Sequence, residues 1–194
     1  MARRQNTRPL RAIAPTIIGA GITEKYYFLH LKSLCGFRME VKPRYFGSDT
    51  AYDMRKQVED VLSAGGTAIC VYDMDTTTWD AIERERKDTF VRDYQQHKHV
   101  VLCPSMPSIE YWFLLHFEKT NREFGTSDKV IQALSKYMLY SKEGTFLEKV
   151  GWVKQLLENQ GMKTAISNAL SLAHNGSSYT DIHRVIQFLD SQHN

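Results

Sequence analysis

Cysteine is scarce in this sequence, with three residues in 194: Cys35, Cys70 and Cys103. They are odd in number, far apart and set in apolar runs. This argues against a disulfide framework and for reduced core residues of a cytosolic protein. No Cys-x-x-Cys or His-x-x-x-His pair occurs, so the common zinc spacings are missing. No apolar run approaches the roughly 20 residues that a membrane-spanning helix needs. The opening stretch, MARRQNTRPLRAIAP, has charge but no apolar segment of signal-peptide length, and a cytoplasmic location is expected. Repeats and low-complexity tracts are absent as well. What is present is 42% hydrophobic content, which suits one domain, or one domain with a small appendage, and a core that needs no staples.

Acidic residues are missing from the first eleven positions, which hold Arg3, Arg4, Arg8 and Arg11. Without those four, the 25 Lys and Arg become 21, against 22 Asp and Glu. The formal net charge of +3 therefore belongs to the arm, and the body is not a basic nucleic-acid clamp. Residues 1–12 read as a basic arm, either a solvated tail or a segment that touches phosphates.

The first half alternates strand and helix signals. Residues 15–19 read as a short buried strand and 24–34 as a helix, with Thr23 as N-cap and Glu24 in the first turn, where a carboxylate suits the helix dipole. Residues 37–46 alternate as a half-buried strand, and Pro43 makes it an edge. Residues 48–66 carry an N-cap signal, helical spacing and a Gly-Gly stop. The runs at 67–73 and 99–105 are nearly continuous and apolar, as strands covered on both faces are, with a charged helix at 79–98 between them. This alternation predicts an α/β fold with a mostly parallel sheet and flanking helices. From about residue 107 the strand signals stop and five helical segments follow. The expected organisation is an α/β domain over 13–120 and an all-helical C-terminal region over 121–194, packed on or beside it.

Ligands of open α/β sheets bind outside the carboxyl ends of the strands. Three such ends carry polar groups: Gly19-Ala20-Gly21 followed by Glu24; Asp73 and Asp75; and Ser105, Ser108 and Glu110. Asp73 and Asp75 stand at i and i+2 on an extended segment, on one face and roughly 6.6 Å apart. Two carboxylates that close repel unless a proton or cation neutralises one, which suits Mg²⁺; otherwise they are turn or capping residues. The Gly-x-Gly turn lacks the full dinucleotide-binding pattern and serves at least a tight strand-to-helix connection. The aromatics of IEYWFLLHF read as core, and His116 among them reads as a core or boundary histidine.

Taken together, IGAGITEKYYFLHL, ICVYDMDT and PSIEYWFLLHF resemble the RloB-like proteins of prokaryotic anti-phage defence, which contain a TOPRIM domain. Thr23, Glu24, Tyr27 and Phe28 match the first motif of that family, Asp73 and Asp75 the second, and Glu110, Trp112, Leu114, His116 and Phe117 the third. The ending SSYTDIHRVIQFL is similar to the family's terminal helix. The resemblance implies a TOPRIM-like sheet and Mg²⁺- or Mn²⁺-dependent cleavage of RNA or DNA. A defence-system partner protein is expected with it, and the lack of a long apolar run predicts no role at a membrane. It marks Glu24, Asp73, Asp75 and Glu110 as catalytic acids, with Asp73, Asp75 and Glu24 as metal ligands. Thr23, Lys25, Arg3, Arg4, Ser108 and His116 are the candidate substrate contacts. The sequence departs from the family at Gly19, where the pattern has its general acid or base, and at Gly21, the next acidic position. Either Glu24 or Glu110 replaces the missing glutamate, or the site binds without cutting.

Overall fold

Four of the expected strand segments form parallel strands. These are β1 (Thr16–Gly19), β2 (Glu40–Lys42), β3 (Ala68–Asp73) and β4 (Val100–Met106). A fifth, β5 (Tyr179–Thr180), runs antiparallel to β4, and the order across the sheet is β2-β1-β3-β4-β5. The computed structural model describes residues 13–19, 21–42, 51–74, 81–174 and 177–192. The strands of the first half are joined through α1 (Ile22–Cys35), α2 (Ala51–Ser63) and α3 (Ala81–Tyr94). The second half contributes α4 (Glu110–Leu114), α5 (Ser127–Leu134), α6 (Gly144–Leu147), α7 (Gly151–Leu157), α8 (Gly161–Leu172) and α9 (Ile182–Ser191). The fold is thus a mostly parallel α/β sheet with flanking helices and a helical C-terminal region, as the sequence predicts. Among the described residues no helix is long and apolar enough to cross a membrane.

The period-two alternation of strands sorts the core into two layers. Ile17, Ile69, Val71 and Cys103 face one side, with Tyr27, Phe28 and Leu31 of α1 and with Trp112, Trp152, Val185 and Ile186 from the second half. Ile18, Ala68, Cys70, Tyr72 and Leu102 face the other, against Met54, Val58 and Val61 of α2 and Phe90 and Tyr94 of α3. Helices of the second half therefore supply most of the cover for one face of the sheet. This is why β3, five of whose six residues are buried, is an almost uninterrupted apolar run.

Several sequence expectations need correction. Thr23 is not the N-cap of α1: the cap position is Gly21, in extended conformation (φ −157°), and helix begins at Ile22. The Thr23 hydroxyl instead hydrogen-bonds Tyr140, a partner from the second half. Cys35 is exposed at the end of α1, while Cys70 and Cys103 are buried; all three are free thiols. Strand signals do not stop at residue 107. Two residues of β5 complete the sheet by pairing Thr180 with Ser105 and Tyr179 with Met106, a strand too short to show its own periodicity. Residues 37–46 yield only the three-residue β2, at the sheet edge as expected, and Pro43 lies outside the described residues.

One of the five helical segments expected after residue 107, TFLEKVGWVKQLLENQ over 145–160, is not one helix but α6 and α7 followed by a sharp turn. Asn159 (φ 51°) and Gln160 (φ 62°) are left-handed and turn the chain sharply into α8. A Cβ on Gly161 would then stand 2.0 Å from the carbonyl oxygen of Leu156, which is backbone and cannot swing away. Gly161→Ala is expected to destabilise the protein by about 3 kcal/mol, the upper range for forced overpacking. Urea denaturation would check this; an unchanged midpoint would show that the turn relaxes freely.

Candidate active site at the carboxyl edge of the sheet

From β1 the chain proceeds outward to β2, and from β3 it proceeds the opposite way to β4. The connections therefore diverge at the carboxyl ends of β1 and β3 and leave a crevice between them, the usual ligand position in such sheets. Glu24 reaches this place from the first turn of α1, Asp73 as the last residue of β3, and Glu110 as the first residue of α4. Glu24 is 3% exposed and Glu110 1%. Asp73 Oδ1 accepts the Ile109 N–H at 2.9 Å, and the Met74 N–H donates to the Ser105 carbonyl at 2.7 Å, so the ends of β3 and β4 are tied together.

The three acids act on one another. Desolvation pushes the Asp73 carboxyl well above its ordinary value, and the charges of Glu24 and Glu110 push it further. The Ile109 N–H and the Lys142 ammonium oppose the rise. Glu110 is compensated on both oxygens. Oε2 accepts the Ser108 hydroxyl at 2.6 Å, while Oε1 accepts the Tyr140 hydroxyl at 2.9 Å and lies 3.3 Å from Lys142 Nζ. Burial and the Glu110 charge raise the Tyr140 phenol far above its ordinary value, so it stays protonated and remains a donor.

A family model described as RloB-like protein matches residues 16–189. The chain belongs to the RloB-like family. No curated protein and no solved structure matches it. The family match runs from the first residue of β1 into α9 and so includes every element that supplies the acids.

Gly19 and Gly21, at the two positions where the resemblance implies acidic residues, lie close under the Glu24 side chain. A Cβ at Gly19 would meet Glu24 Cβ at 2.9 Å, and a Cβ at Gly21 would meet Glu24 Oε2 at 3.2 Å. The Glu24 side chain folds back over the turn and fills the space that side chains at 19 and 21 would need. The loose glycine turn and the surviving glutamate are therefore one feature: small residues below, a carboxylate packed above.

The remaining candidates fall into two groups. Thr23 and Ser108 join the acid cluster through Tyr140 and Glu110. Lys25 stands one residue beyond Glu24, its Nζ 5.0 Å from the Tyr26 ring centroid. His116 has other neighbours: its Nδ1 is 3.0 Å from the Trp112 carbonyl, and its ring packs edge-on to Trp112. Burial lowers the pKa of its imidazole to about 4, which keeps it neutral. Asp75, Arg3 and Arg4, with Arg8 and Arg11, lie outside the described residues.

Among the described residues no group of three or more His, Cys, Asp and Glu side chains is placed to hold a metal ion. Glu110 already has a hydroxyl partner on each oxygen, while the Glu24 charge acts on Asp73. Their residual repulsion is of the kind that a hard, oxygen-preferring divalent ion relieves, so the donor set fits such an ion.

Tyr140 and Lys142 were missed by sequence reasoning. They lie in MLYSKEG, which has no motif and no clear periodicity, and reach the site only because the second half covers this face of the sheet.

Proposed function

We propose that this RloB-like protein is a TOPRIM-like, divalent-cation-dependent nuclease that cleaves phosphodiester bonds of RNA or DNA in prokaryotic phage defence. The observation that supports it most is the meeting of Glu24, Asp73 and Glu110 in the crevice between β1 and β3. Asp73 and Glu24, joined by Asp75, would hold Mg²⁺ or Mn²⁺. When bound, the ion supplies neutralisation of phosphate charge and acidification of a water. Glu24, packed over the turn, accepts a proton from the attacking water. Glu110, held by the Ser108 and Tyr140 hydroxyls and by Lys142, orients the cluster. Lys142, with 43% of its side chain exposed, meets a backbone phosphate. The basic arm adds further phosphate contacts, and the partner protein of a defence system is expected outside the crevice.

Gly19 in place of the family glutamate favours a second reading, a non-catalytic module that binds a nucleotide, nucleic acid or protein. One assay separates the two. Full-length protein is incubated with single-stranded RNA, tRNA and DNA in Mg²⁺, in Mn²⁺ and in EDTA. Products that appear only with a divalent ion are expected. Intact substrates under every condition, with phage-infected extract supplied as trigger, would leave the binding module.

A further inference from the structure

A second recess, about 380 Å³ in volume, opens on the opposite face of the sheet. It lies between α3 and the ends of β3 and β4, with Tyr179 of β5 at one side. Strand alternation sets it back to back with the acids, since Tyr72 belongs to the α3 layer and Val71, two residues before Asp73, to the other. Lys87 is 7% exposed in this recess, with its Nζ 5.3 Å from the Tyr72 ring centroid. Burial lowers the pKa of its ammonium to about 8, against the pull of Asp88 and Asp73, so it still carries charge at neutral pH. Arg92 stands exposed on the rim. Asp88 also lines the recess, leaving two cations against one acid.

Gln95 adds a neutral polar group, and the rest of the wall is apolar or flat, with Met74, Val91, Pro104 and Tyr179 beside Tyr72. The Tyr179 ring is stacked on His174, with centroids 4.1 Å apart and planes 25° from parallel, which fixes the plane of the tyrosine. A recess of this volume, with cations on its α3 wall and flat groups on its strand wall, matches a ligand that carries both an anion and a planar ring. We propose that it binds a nucleotide, with the phosphate on Lys87 and Arg92 and the base against the wall of Tyr179, Met74 and Pro104. The nucleotide is either free or one unit of a strand that continues over the sheet edge. The site stands whether or not the acids cut, because it shares no side chain with them.

The test is a titration of full-length protein in EDTA with AMP, inorganic phosphate and a short oligoadenylate, followed by NMR shift mapping. Saturable AMP binding is expected, with shifts centred on Tyr72, Lys87 and Tyr179. Lys87→Met, which keeps the aliphatic stem, should weaken it about tenfold, the worth of a hydrogen bond to a charged group. Arg92→Ala, at the exposed rim, should weaken it about threefold and carries the test if the Lys87 variant fails to fold. Tighter binding of the oligonucleotide assigns the recess to a strand, and tighter binding of AMP assigns it to a free nucleotide. No saturable AMP binding, equal affinity for inorganic phosphate, or shifts centred on Glu24 and Asp73 would overturn the proposal.

Discussion

Asp73→Asn is expected to abolish divalent-dependent cleavage and, in metal-free protein at neutral pH, to raise the thermal midpoint. Both effects have one origin. The Asp73 carboxyl is desolvated and faces Glu24 and Glu110, so its charge is unfavourable in the folded state. Its pKa is therefore higher folded than unfolded. Below the unfolded value, about 4, the aspartate is protonated in both states and the substitution changes little. Above the folded value the wild type bears the full cost of the charge and the asparagine does not. The gain should thus grow as pH rises through the folded pKa and fade on acidification. Asparagine can still accept the Ile109 N–H through its Oδ1, which preserves the tie between β3 and β4. Relief of even ~1 kcal/mol would raise the midpoint by roughly 2–4 °C in a chain of this size. Adding Mg²⁺ should stabilise the wild type through ligand binding to the folded state, and should do so far less in the variant. Differential scanning fluorimetry across pH, with and without Mg²⁺, reads both effects apart from turnover. A variant that is less stable than wild type at neutral pH would show that Asp73 is a structural acid rather than a strained functional one.

The second large effect concerns Glu24 and the glycine beneath it. Glu24→Gln should lower the cleavage rate by roughly 10²–10⁴-fold, the usual worth of a general acid or base. Gly19→Ala should lower it too, though residue 19 has no chemistry of its own. The new Cβ would lie 2.9 Å from Glu24 Cβ, and a Cβ cannot rotate away, so α1 or the carboxylate must move. The two changes should not add: in the Glu24→Gln background, Gly19→Ala should cost little further rate, because both act on the same carboxylate. Single-turnover rates of the four proteins would settle it. A Gly19→Ala loss that persists undiminished without Glu24 would mean that the glycine serves the substrate directly.

The sheet and the line of acids along its carboxyl edge were legible in the sequence because their determinants are local. A strand covered on both faces must be apolar throughout, as AICVYD and VVLC are, and side-chain period and turn residues act within a few positions. The order of motifs then placed Glu24, Asp73 and Glu110 after successive parallel strands, and parallel strands share a carboxyl edge. Family membership was legible for the same reason, since its motifs sit on these elements.

What only the tertiary structure decided is which distant groups meet those acids. Thr23 carries the local signature of an N-cap, yet a buried hydroxyl takes whatever partner packing brings, and α1 is packed against the second half, which brings Tyr140. Cys35 looks like core from its neighbours, but it ends its helix on the solvent side. The two residues of β5 are a strand only because the edge of β4 offers them unpaired backbone groups. Tyr140 and Lys142 follow Glu110 across a long helical excursion, and the contacts that return them depend on the whole buried face of α1, α4 and α7. Short-range propensity carries no information about such closures, because the free energy that selects them comes from burying surfaces far apart in the chain.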